Sequence, residues 1–110
     1  MIKKNKIPDV MRATENAIQK SLKSAAILVE GEAITRTPVD TGNLRGSMTH
    51  DVGKNEARVG TNVEYAPYVE FGTSDMAAQP YLRPALDENT RKITSLISDV
   101  IGREIKGAVR

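Results

Sequence analysis

Apolar positions along the chain change period three times, and each change marks an element. Met11, Ile18, Leu22, Ala25, Val29 and Ala33 recur at steps of three, four or seven, which predicts one long helix over 9–37 with a single apolar stripe. Asp9 is placed to cap its start, and Pro38 ends it by disfavouring the helical state at Thr37. At 1.5 Å per residue such a helix spans roughly 40 Å, whereas a compact chain of this length has a diameter near 35 Å. Its end is therefore expected to need a partner. A short helical turn capped by Asp40, with Leu44 pointing inward, follows. The period then becomes two: Met48, His50 and Val52 share one strand face, Ala57, Val59, Thr61 and Val63 another, with 53–56 as the hairpin loop.

Beyond Val63 the four aromatic residues cluster: Tyr65, Tyr68, Phe71 and Tyr81. Tyr65 to Phe71 reads as one or two helical turns ended by Gly72, and 73–79 as a mobile loop. Pro80 and Pro84 bracket a short extended piece, Tyr81 to Arg83, expected to add to the sheet. A second long helix starts at Pro84, with Leu86, Ile93, Leu96, Ile97, Val100, Ile101 and Ile105 as its stripe. The class predicted is α+β, an antiparallel sheet with a long N-terminal and a long C-terminal helix packed on it. The 110 residues form one domain, with 1–8 as a flexible basic arm carrying Lys3, Lys4 and Lys6.

Composition removes several function classes. With no Cys and one His, thiol catalysis, disulfide scaffolds and multi-histidine metal centres are excluded. No apolar run approaches the length of a membrane span, so a soluble product without a membrane partner is expected. The net charge of +2 is too even for a dedicated nucleic-acid binder. It conceals a pattern, however. Residues 1–36 carry seven basic and four acidic side chains, 37–82 three and six, and 83–110 six and four. An acidic middle between basic ends suits a protein that packs against copies of itself or against a patterned partner.

No phosphate-binding loop and no nucleophile elbow is present. His50 reads as a core or edge residue, and Glu30 and Glu32 face different ways on their helix. Asp40-Thr41-Gly42 resembles the active-site turn of retroviral-type homodimeric aspartic proteases. That fold is almost all strand, so helix content separates the two readings.

Three motifs occur in a spaced series: 37–47 (TPVDTGNLRGS), 65–73 (YAPYVEFGT) and 80–86 (PYLRPAL). In this order the chain resembles the small head–tail joining, or tail-completion, proteins of the neck of long-tailed bacteriophages and prophages. The resemblance implies a virion structural protein assembled in the bacterial cytoplasm, similar in fold to tail-tube and tail-terminator subunits. It also implies a six-fold ring between the head connector, or head-completion protein, and the tail terminator or tube, with no catalysis and no cofactor. Length termination of the tail is the alternative role. Pro38, Asp40, Thr41, Gly42, Leu44, Arg45, Gly72, Pro80 and Pro84 are then the structural motif residues. Tyr65, Tyr68, Glu70, Phe71, Thr73 and Arg83 are the expected subunit or partner contacts. Glu70 is expected to pair with Arg83 or Arg45, so that its charge reversal would block assembly without disturbing the fold. Lys3, Lys4 and Lys6 are placed to meet DNA phosphates or an acidic neighbour.

Overall fold

A computed structural model describes residues 7–38 and 42–109. The element order is α1 (Ile7–Arg36), α2 (Gly42–Gly46), β1 (Thr49–Val52), β2 (Ala57–Gly60), α3 (Ala66–Phe71), α4 (Leu82–Asp87) and α5 (Thr90–Val109). The class is α+β, as the periodicities predict. Helices dominate, and the described sheet is one hairpin, with β1 antiparallel to β2 and Thr49 opposite Gly60, His50 opposite Val59 and Val52 opposite Ala57. This architecture is unlike the strand-built aspartic proteases. Asp40 and Thr41 lie outside the described residues.

α1 is the axis of the molecule. The hairpin lies along one side of it, and α5 packs antiparallel along another, with Lys20 paired to Glu104 near one end and Arg36 to Glu88 near the other. The seam of α1 is lined by small buried residues, Ala17, Ser21, Ala25, Ala26 and Ala33, which let neighbouring backbones approach closely. Ser21 resolves its buried hydroxyl by donating to the Ile18 carbonyl. Ile7, Pro8 and Asp9 fall inside the first turn of α1, so residues 7 and 8 of the expected 1–8 arm are helical, Asp9 is not the cap, and residues 1–6 lie outside the described residues. Pro8 is tolerated there because first-turn N–H groups have no intrahelical acceptor.

A single core cluster sits at the C-terminal end of α1. Val29 and Ala33 meet Leu44, Met48, Ala66, Val69, Tyr81 and Ala85 there. At the other end the two long helices carry little else. The result is elongated, 65 × 23 × 20 Å with a radius of gyration of 18.2 Å, against about 13 Å for a compact chain of this size. No helix among the described residues is long and apolar enough to cross a membrane.

The C-terminal segment departs from expectation in two respects, the second being that the long helix expected from Pro84 is divided into α4 and α5. Tyr81 to Arg83 does not join the sheet. Leu82 and Arg83 open α4, Pro84 is its third residue, and Glu88 and Asn89 separate α4 from α5. Tyr81, Ala85 and Asn89 are all buried, the i, i+4, i+8 spacing of one helix face. The helical face therefore continues from Tyr81 past Pro84, because first-turn positions accept Pro without losing a hydrogen bond.

Candidate functional site

The second and third motifs meet through Glu70. This residue, on α3, is only 7% exposed. Its Oε1 accepts the backbone N–H groups of Tyr81 at 3.0 Å and Leu82 at 2.9 Å, and its Oε2 accepts that of Arg83 at 3.2 Å. These are the first, otherwise orphaned, donors of α4. A carboxylate there satisfies them and opposes the positive end of the helix dipole. Glu70 thus caps a helix that is remote in sequence, and no side chain at the Tyr81 cap position does so. The expected pairing with Arg83 or Arg45 is not made. The Arg83 guanidinium instead faces Asp87, with Nε 3.6 Å from its carboxylate. Charge reversal at Glu70 would therefore break the fold before it reached any subunit contact.

Gly72 ends α3 as expected, at φ 78° and ψ 176°, with its N–H donating to the Tyr68 carbonyl. A Cβ at this position would lie 2.8 Å from the Ala78 nitrogen and 2.9 Å from the Met76 oxygen. The loop after it is exposed but tied: Thr73 donates its N–H to Met76, and Gln79 donates its own to Val69, both at 2.8 Å. Pro80, exposed, then delivers Tyr81 into the core.

The aromatic cluster divides. Tyr81 is 1% exposed, with its hydroxyl directed at the Ala66 carbonyl, and burial followed by the charge of Glu70 raises its phenol above the ordinary tyrosine range. Tyr65 is half-buried against the core. Tyr68 and Phe71 are 57% and 74% exposed, on the outer side of α3. Thr73 and Arg83 are exposed as well. Leu44 is fully buried and Arg45 half-buried on α2, while Pro38 lies just past α1. Gly42 opens α2. Asp40, Thr41, Lys3, Lys4 and Lys6 lie outside the described residues.

Beside Phe71 runs an apolar groove of about 760 Å³. Ala25, Ala26 and Val29 of α1 form part of its lining, with Val59 and Val63 from the hairpin side and Leu86 and Ile93 from α4 and α5. Leu86 is itself 52% exposed. Exposed apolar surface of this kind marks contact sites. Sequence periodicity does not reveal the groove, because it is lined by five separate stretches of chain.

Two further links hold the hairpin to α1. The Gln19 side-chain amide donates to the carbonyls of Gly53 and Lys54, clamping the hairpin tip. His50 bridges Lys23 and Glu30. A lysine only donates, so His50 Nε2 accepts and Nδ1 faces the carboxylate. His50 is thereby a packing and positioning group. At the far end, Arg36 bridges Glu32 and Glu88, and its hydrogen bond to Glu32 holds that carboxyl below its usual value.

Residues 3–72 match a known family, described as "Bacteriophage HK97-gp10, putative tail-component". The chain belongs to this HK97-gp10-like family of phage tail components. The match takes in α1, the first motif, the hairpin and the α3 motif through Gly72. It accords with the resemblance to phage head–tail joining and tail proteins, and it makes a structural role in the phage tail or neck the frame for the exposed surface just described. No curated protein and no solved structure matches the chain significantly.

Proposed function

We propose that this tail-component family member forms a ring in the phage neck, joining the head connector to the finished tail. The observation that carries this reading is the combination of family membership with an elongated subunit whose exposed aromatic residues border an apolar groove. A ring subunit needs two non-equivalent sticky surfaces and a stiff frame between them. The α1–α5 pair supplies such a frame, and Tyr68, Phe71 and Leu86 supply apolar contact on one side. In this reading the ring is six-fold, and its neighbours are the head-completion or connector protein above and the tail terminator or tube below.

Electron microscopy of lysates from a phage with an early stop codon in this gene tests the role. Filled heads lying apart from tails of normal length are the expected result. Overlong tails would assign length termination instead, and intact infectious particles would overturn both.

A further inference from the structure

The start of α1 carries an apolar surface that nothing in its own fold covers. Ile7 is 55% and Met11 63% exposed. They sit one turn apart on one face, and Met11 stands eighteen residues before Val29, a whole number of helical turns. Ile7 and Met11 are therefore the continuation of the stripe that forms the groove and core further along. The hairpin stops covering that stripe at Gln19, where its tip is clamped. α5 reaches this end too, but Arg103, Glu104 and Gly107 border a different set, Asp9, Arg12, Ala13 and Asn16.

The groove has the opposite deficiency, an apolar lining with no segment of the described chain inside it. Of the exposed charges on its lining, Arg83 faces Asp87 and Glu64 has no ion pair among the described residues. The first twelve residues carry Lys3, Lys4, Lys6 and Arg12 against Asp9 alone, a charge opposite to that of Glu64 and of the acidic middle segment. One helix cannot satisfy both needs by itself. Ala25 to Val29 lie 14 to 18 residues beyond Met11, roughly 21–27 Å along the same rigid axis.

We propose that the start of α1 in one copy, through Ile7 and Met11, docks in the groove of a neighbouring copy beside Phe71 and Leu86. This deepens the ring reading and rests on it. The contact joins two different surfaces, so it propagates head to tail and closes into a ring when the rotation between subunits permits. It also gives the overlong helix the partner that its length demands, and it leaves Glu64 facing the basic start of the neighbour.

The absence of cysteine makes a direct test available on the full chain. Single variants Met11→Cys and Leu86→Cys, mixed and oxidised, are expected to form a mixed disulfide that neither forms alone. A double-cysteine variant is expected to give a ladder extending past two copies. Separately, Ile7→Asp with Met11→Asp is expected to weaken self-association at least about tenfold in sedimentation. Circular dichroism should not change, because both side chains are already exposed. Glu64→Lys should weaken association in the same direction. Crosslinking confined to Met11→Cys alone would mean that helix starts pair with each other, and would overturn the proposal. So would a ladder that ends at two copies, a wild-type chain that stays monomeric, or an Asp variant that associates normally. Phage carrying the Asp pair separate the two ideas. Intact rings in those particles would discard this contact and leave the neck role standing.

Discussion

The carboxylate of Glu70 accepts the backbone N–H of Tyr81 at 3.0 Å, eleven residues further along the chain. That bond and its companions to Leu82 and Arg83 join the α3 motif to the α4 motif and fix where the exposed Phe71 stands relative to Leu86. Glu70→Ala leaves three helix-start donors without this acceptor and is expected to cost about 3 kcal/mol of stability. Glu70→Gln, which keeps an acceptor but no charge, should cost about 1–2 kcal/mol. Urea unfolding measures both. An alanine variant within about 0.5 kcal/mol of wild type, the range of ordinary surface changes, would show that the cap is not needed.

Gly72 combines a positive φ with ψ near 180°, a region that side chains avoid, and two backbone atoms stand within 3 Å of any added Cβ. Gly72→Ala is expected to cost about 1–3 kcal/mol from backbone conformation alone, with a further steric contribution from Met76 and Ala78. The Thr73–Gln79 loop should shift its amide resonances more than any other segment. Unchanged loop resonances would contradict this account.

Tyr81 gives the stability a dependence on alkaline pH. Its folded-state pKa lies above the ordinary value, from burial first and the Glu70 charge second. The stabilisation is complete below the unfolded value of about 10. As pH rises past that value the unfolded chain loses its proton first, so stability falls until the folded phenol ionises too. Tyrosinate absorbance should contain a late step, above the ordinary tyrosine range, that belongs to Tyr81. Tyr81→Phe should remove that late step and part of the alkaline loss of stability. A titration curve whose late step survives in Tyr81→Phe would refute the assignment.

Phe71 and Leu44 separate surface from core. Leu44 is fully buried, and Leu44→Ala is expected to cost about 2–5 kcal/mol. Phe71, at 74% exposure, should tolerate Ser within about 0.5 kcal/mol and yet reduce the yield of infectious particles when the variant is supplied in trans. Normal yield with Phe71→Ser would take this face out of assembly.

Much of the fold is legible in the residue pattern, and particular residues show why. The C-terminal half of the α1 stripe at Ala25, Val29 and Ala33, the hairpin over 49–60 and the stop at Gly72 follow from local rules, since each depends on neighbours within a few positions. The prolines flanking Tyr81 misdirect a local reading. Extended structure and a helix start share the same proline signals, and only burial of Tyr81 against Ala66 decides between them. Glu70 is misread for a related reason. A carboxylate near an arginine in sequence suggests an ion pair, whereas three backbone donors brought together by the start of α4 bind it better than one exposed guanidinium.

By itself the sequence determined the helical and strand periods, the acidic middle between basic ends, and the first two motifs, which, up to Gly72, lie in the stretch 3–72 that matches phage tail components. These are properties of residue order, and short-range sterics and hydrophobic spacing suffice to express them. Tertiary structure alone decided that Glu70 is a buried cap and that Tyr81 belongs to the core while Phe71 does not. It also decided that five stretches of chain line one open groove. Each of these depends on which segments meet in space, and long-range packing settles that only after the local elements exist.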